Sequence, residues 1–383
     1  MILRRFPTLL AASIALASGL ANAQSYEFRH QVTGLTAKMT ESAPEGLSDI
    51  DCGLAHCYAI VDGVIWSVGY NQLGQLGRGG TDSQWTWGST GQPASKVVAG
   101  GYHGYALHNG KIWSVGRNNY GQLGLGDNLN RETWTNTGYS ATDISAGWYH
   151  GYAVSNGKVL SVGYNNYGQL GLGHKTNADV WTDTGQSAER VEAGYHFGYA
   201  LSGGVVFSVG RNNYGQLATR DQSDRSTWFD TGHPAEQVAA GDAHGYALSS
   251  GVIWSVGRNV QGELGIGNLN NQNDWVNTYK SATKIDSGRY FGYALNNGSV
   301  WSTGYNHAGQ LGRAGTSRQL SWGDTGYLAD DIDAGGHFGY ALSGDTVSVV
   351  GQNTHGQLGL GDANDRNSWT TLPQNSFSEE KTP

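Results

Sequence analysis

The chain has 383 residues, with 31 acidic against 23 basic side chains, a formal charge of −8, and 60 glycines beside 6 prolines. An acidic balance of this kind argues against nucleic-acid and anionic-membrane binding, both of which need a basic footprint. The glycines recur at fixed intervals, so they are turn residues of a folded repeat and not a mark of disorder.

Residues 1–23 read as a secretory signal. Arg4 and Arg5 supply the positive start, Leu9 to Leu20 the apolar run, and Ala21-Asn22-Ala23 a small-x-small cleavage site. The run is too short to span a bilayer, no second apolar stretch follows, and Gln24 in place of Cys argues against a bacterial lipoprotein. The mature chain, with 21 basic and 31 acidic residues, is expected to be exported, periplasmic or extracellular, and not inserted in a membrane. A lead-in segment occupies 24–47 and a polar tail 376–383.

Between them one unit repeats seven times. The glycine closing the Ser-Val-Gly stretch stands at Gly69, Gly116, Gly163, Gly210, Gly257, Gly304 and Gly351, always 47 residues apart. A tryptophan keeps the same interval from Trp87 to Trp369. The repeats are bounded as 48–96, 97–143, 144–190, 191–237, 238–284, 285–331 and 332–375. In the second copy a short strand from Val97 ends at Ala99-Gly100, a second covers Tyr105 to Leu107, and Asn109-Gly110 turns the chain into a third, Lys111 to Gly116. Asn-Gly favours the type I′ hairpin turn, which needs positive φ at both positions. A fourth, outer strand is expected around Trp134. The third strand is apolar on both faces, as stacked sheets require. Seven such sheets predict an all-β, seven-bladed propeller. A solenoid would need atypical polar end repeats, which are lacking here. Repeat one opens with the strand Ile50 to Gly53 and repeat seven ends after Trp369, so the two termini are expected to pair within one blade.

The run Ala-Gly-x-x-His-Gly-Tyr-Ala-Leu, followed by Trp-Ser-Val-Gly-Arg-Asn-Asn-Tyr-Gly-Gln-Leu-Gly, resembles the regulator of chromosome condensation repeat. The Gly-Gln-Leu-Gly signature stands at 74–77, 121–124, 168–171, 309–312 and 356–359. It is altered at 262–265, where Glu263 replaces Gln, and at 215–218, which ends in Ala218. The resemblance covers residues 48–375 and implies the propeller fold. It leaves activity open, because such propellers serve as exchange factors, photoreceptors, enzyme inhibitors and adaptors.

Several motifs have plain structural readings. Gly-Gln-Leu-Gly-Leu-Gly is not followed by a helical period, so it is a turn and not a phosphate loop. Asp127-Asn128 and 362–365 do not complete a calcium loop, Arg366 standing where a third ligand belongs. His56, His103, His150 and His244 share a register with Phe197, Phe291 and Phe338, which marks a packing position; no metal site and no cofactor are expected. Asp51, Glu192, Asp286 and Asp333 share another register beside the first strand. If they gather at the axis, like charges would raise one another's pKa. No nucleophile–base pair stands out, so the chain is not read as an enzyme. Cys52 replaces Ala or Ser, and Cys57 a Gly, at positions that face each other across a tight hairpin. In an exported protein they either bridge or remain two buried thiols.

Repetition holds the scaffold, so specificity must lie where the copies differ. The pair of residues after each Ala-Gly varies most and brings Tyr102, Trp148, Tyr149, Tyr195, His196, Asp242, Arg289, Tyr290 and His337 to one face near the axis. Trp, Tyr and Arg are the side chains that anchor protein interfaces, and the resemblance implies that this loop carries function. A second variable set, Tyr70, Arg117, Tyr164, Arg211, Arg258 and Tyr305, is read as an alternative face suited to glycan stacking or carboxylate contacts. Each precedes an Asn that holds its turn through local bonds. The sequence therefore points to an exported, non-enzymatic propeller that binds a protein, inhibiting or scaffolding another exported protein. A lectin-like module binding glycans is the alternative, and it should keep near-identical sites in several blades.

Overall fold

The computed structural model describes residues 46–313, 315–344 and 346–378, all within one compact unit, Glu41–Pro383. The expected signal segment 1–23, nearly all of the lead-in and the end of the polar tail lie outside the described residues. The described chain forms seven four-stranded antiparallel sheets with no helix. In blade one, β1 (Leu47–Cys52), β2 (His56–Val61), β3 (Val64–Gly69) and β4 (Gln84–Pro93) pair in sequence order. The other blades repeat this meander over 96–140, 143–187, 190–234, 237–281, 284–328 and 331–371. The hairpins between the second and third strands of blades one to six turn as expected, with φ of 50° at Asn109 and 68° at Gly110.

Neighbouring blades lock through aromatic rings. Tyr58 is fully buried, donates its hydroxyl to the Gln75 carbonyl, and packs against Trp134 of blade two at 5.3 Å. Its ring lies where a Cβ on Gly104 would come within 2.5 Å, so that position of blade two must be glycine. The same contact recurs around the ring, with Tyr105 against Gly151 and Tyr152 against Gly198.

The ring does not close by sharing a blade between the termini. Blade one holds its own four strands, and blade seven ends with its own outer strand, Arg366–Thr371. The 47-residue unit already contains a complete meander, so no strand is left to donate. Side-chain packing seals the seam instead. Ile50, Trp66 and Trp87 of blade one join Phe338, Tyr340 and Val349 of blade seven, with Phe377 added from the C-terminal segment. Gly336 N–H donates to the Gly53 carbonyl at 3.0 Å and Gly361 N–H to the Trp85 carbonyl at 2.9 Å.

Cys52 and Cys57 face each other in β1 and β2 with Cα atoms 4.2 Å apart, and their sulfurs are bonded. The other six blades carry Gly at the Cys57 position because of the preceding blade's tyrosine, and not because of a facing backbone. At the seam that tyrosine is displaced: Tyr340 stands 6.2 Å from Phe338, where the equivalent rings elsewhere are 5.0 to 5.2 Å apart.

Candidate functional site

A meander reverses direction at every strand, so the β1–β2 and β3–β4 connections leave a blade at one end and the β2–β3 hairpin at the other. The two variable sets therefore lie on one face, which corrects their reading as alternative faces. They are bonded directly: Tyr70 N–H donates to the Ala55 carbonyl at 2.8 Å, Arg117 to Tyr102 at 2.9 Å and Tyr164 to Tyr149 at 2.9 Å. The following Asn holds the turn. Asn118 accepts from Leu123 N–H at 2.8 Å and donates to the Asp127 carbonyl at 2.9 Å.

On this face the variable side chains form a half-buried belt around the axis. Trp148 lies 3.9 Å from Tyr195, and the Arg289 guanidinium sits 4.8 Å from both Trp148 and Tyr290. Trp148 belongs to blade three and Arg289 to blade six, so their contact bridges the axial mouth, a small cavity of about 90 Å³ floored by the Ala-Gly backbones. Arg117 lies 4.9 Å from Tyr149 and 6.0 Å from Tyr102, while Tyr102 lies 5.8 Å from Tyr70. Tyr164 packs on His196 at 5.3 Å, and Tyr290 contacts Tyr305 at 6.2 Å and His337 at 5.7 Å. Arg211 covers Tyr167 at 4.8 Å, and Arg258 covers Tyr290 at 4.6 Å. Tyr120, Tyr167, Tyr214 and His307 join the belt although the sequence reading passed over them. Tyr120, Tyr167 and Tyr214 share one register, where other blades carry Leu73, Gln261, Ala308 and His355, and that variation was a usable signal.

Burial sets the protonation of the belt. It pushes Tyr195 up to about 12, with Tyr149 and Asp242 adding to the effect. Burial also brings His196 and His337 down to about 3, helped by His150 and Arg211 at the first and by Arg289 and His307 at the second. At neutral pH the Tyr195, His196 and His337 rings are therefore uncharged. Charge comes from Arg117, Arg211, Arg258 and Arg289, set against Asp242 and Glu263. Burial raises the pKa of both acids against the opposing pull of their arginines. Glu263 is fully buried and accepts from Arg258 Nη1 at 2.5 Å.

The other end of the propeller is different in kind. It presents exposed two-residue turns such as Asp62-Gly63, Asn156-Gly157 and Ser250-Gly251. Between the two ends, the carboxylate register does gather on the axis. Asp51, Glu192, Asp286 and Asp333 line a cavity of about 270 Å³ together with Lys96 and Lys284. Burial, reinforced by neighbouring acids, pushes Asp51 up to about 7 and Glu192 to about 8, and raises Asp333 strongly. Two of these groups stitch blades together. Asp51 accepts the Ala99 N–H and Asp286 the Ala334 N–H, each at 2.7 Å, satisfying inner-strand donors that have no strand beyond them. The histidine register is buried and separate from both surfaces, with His56, His103, His150 and His244 fully enclosed.

Among the described residues no group of three or more His, Cys, Asp or Glu is placed to hold a metal ion. Ser287 Oγ lies 3.1 Å from His244 Nε2, and burial brings that imidazole down to about 3 against a hydrogen bond to the Phe291 backbone, with no carboxylate acting on it as a catalytic triad would have. Asp127 and Asp362 pair with arginines four residues on, at 2.6 and 2.7 Å, which occupies the loops that resembled calcium sites, and Asp221 pairs with Arg225 in the same way at 2.6 Å.

The fold and this face define a seven-bladed β-propeller with one variable aromatic–arginine end. Sequence profiles of the regulator of chromosome condensation (RCC1) repeat match residues 109–154 and 141–169. Residues 109–169 thus carry matches to that repeat, and the same 47-residue interval runs through all seven blades. Solved structures of the same fold include human WBSCR16, with a TM-score of 0.68 and 21% identity over 76% of this chain and 84% of that one. Yeast RCC1 (Prp20), solved bound to Kap60, has a TM-score of 0.71 and 16% identity over 91% of each chain. Prp20p from Saccharomyces cerevisiae, described with its binding properties to Gsp1p and histones, gives 0.71 and 17% over 87% of each. No curated protein sequence matches the chain.

Proposed function

We propose that the protein is an exported, non-enzymatic binding propeller, and that a protein partner docks on the aromatic–arginine end. The observation that carries this reading is the contrast between the ends: one set of seven connections is large, aromatic and different in every blade, the other small, polar and nearly uniform. Half-buried Trp, Tyr and Arg held by neighbouring rings lose little conformational freedom on docking, which is how interface anchors gain affinity. The propeller of yeast RCC1 (Prp20), solved bound to Kap60 and described with its binding properties to Gsp1p and histones, supports a protein as the ligand class. The Arg117–Tyr149 contact recurs as Arg258–Tyr290, but Tyr102 and Tyr120 are replaced there by Ala243 and Gln261, so the complete cluster is not repeated as a multi-site glycan binder would repeat it. Inhibition or scaffolding of another exported protein follows as the role of such a surface.

The test is affinity capture from exported proteins with the mature chain from residue 24, run beside a glycan array. A captured protein that is lost when Tyr149 and Arg117 are replaced by Ala supports the proposal. Saturable glycan binding with no protein captured overturns it.

A further inference from the structure

Beyond protein docking in general, we infer that a pocket between blades four, five and six is a recognition site for a carboxylate group. Arg211, Arg258 and Arg289 line a cavity of about 270 Å³ on the belt, walled by Tyr195, Tyr214 and Tyr290. Three guanidiniums around one cavity are unusual in a chain whose formal charge is −8. Two acids offset them in part. Glu263 pairs with Arg258, and Asp242 Oδ1 lies 3.9 Å from Arg289 Nε, beyond hydrogen-bond reach.

The remaining capacity is specific. Arg289 Nε is buried and has no hydrogen-bond partner. The Arg211 guanidinium lies 4.8 Å from the Tyr167 ring centre and, among the described residues, makes no ion pair. With both acids ionised the pocket carries one surplus positive charge, which matches a carboxylate and not a dianionic phosphate. Guanidinium forks suit the planar, two-oxygen geometry of a carboxylate. The tyrosine walls suit the carbon chain that bears it.

Glu263 makes the site testable, because the pocket has in effect an internal competitor. Five other blades carry Gln in a full Gly-Gln-Leu-Gly signature at this position, and Gln216 holds it in the sixth. Glu263→Gln therefore restores what the fold already accepts while releasing Arg258.

The experiment is calorimetric titration of the full mature chain with three probes: the blocked peptide acetyl-Gly-Glu-Gly-amide, its Gln counterpart, and acetate. The Glu peptide should bind and the Gln peptide should not. Glu263→Gln should tighten binding about tenfold, and Arg211→Gln or Arg289→Gln should weaken it about tenfold. Thermal melting checks that each variant is folded. Acetate binding as tightly as the Glu peptide assigns the site to free acids, and tighter peptide binding assigns it to polypeptides. Equal binding of the Glu and Gln peptides, no binding of any probe, or weaker binding in Glu263→Gln overturns the inference. Partner capture is read separately, so failure here leaves the docking proposal standing.

Discussion

His150 offers a quantitative test, because the repeats supply their own control. Its imidazole is fully buried and meets Tyr152 edge-on at 5.0 Å. Burial holds its pKa down to about 3 from an ordinary 6.5, against the opposing pull of a hydrogen bond to the Phe197 backbone. The folded chain therefore keeps the ring neutral where the unfolded chain protonates it. The stability this group contributes is complete above pH 6.5 and is lost as pH falls toward 3. At pH 5 an unfolded imidazole gains on the order of 2 kcal/mol by taking up its proton, 1.4 kcal/mol corresponding to about one pH unit below its pKa. Blades four, six and seven carry Phe197, Phe291 and Phe338 at the same register, all fully buried. His150→Phe should therefore fold, and relative to the parent it should gain about 2 kcal/mol between pH 8 and pH 5. For a domain of this size that is a differential rise of roughly 4 °C in melting temperature. Melting curves of both proteins at the two pH values give the difference directly. A parent that loses no more stability than the variant on acidification would refute the argument, since it would mean that the buried ring carries its proton in the fold.

The axial acids predict the opposite slope. Glu192 is pushed up to about 8, chiefly by burial, and its Lys96 neighbour is outweighed by burial together with Asp143, Asp286 and Asp51. Its folded form keeps a proton that the unfolded chain has released, so Glu192→Gln should match the parent near pH 4 and melt above it at pH 8; a variant less stable at pH 8 would contradict this. Intact mass of the exported protein should fall short of the dithiol form by two hydrogens, and labelling of both thiols in the unfolded, unreduced chain would rule the bridge out. Replacing Cys52 by Ala and Cys57 by Gly, the residues of other blades, should lower stability by no more than about 2 kcal/mol, because the closed loop is short and Tyr340 is released to pack as its equivalents do.

Much of the architecture could be read from the 47-residue interval. The interval, the Asn-Gly turns and the doubly apolar third strand implied seven stacked sheets, and the Asn after each variable Tyr or Arg was legible as a turn holder. The unity of the binding face was implicit in strand alternation, but the two variable sets lie about fifteen residues apart and looked independent until their connections were assigned to one end. The role of Asp51 and Asp286 was hidden, because the N–H groups they accept belong to the next blade, 48 residues on. The seam was misjudged for a related reason: pattern alone fixes the period of a ring but not its phase. Tyr120 and Tyr167 were overlooked because they sit inside a motif whose other residues are scaffold.

The claim that the aromatic–arginine end is the docking surface is tested most directly by the affinity of a captured partner for Trp148→Ala, set beside Asn156→Asp on the opposite end. Trp148 contacts Tyr195 and Arg289 but belongs to none of the buried core clusters. The account predicts that its loss weakens partner binding about 30-fold, the equivalent of roughly 2 kcal/mol, with little change in melting. Asn156→Asp should bind as the parent does. Unchanged affinity in Trp148→Ala, or a loss confined to Asn156→Asp, would contradict it.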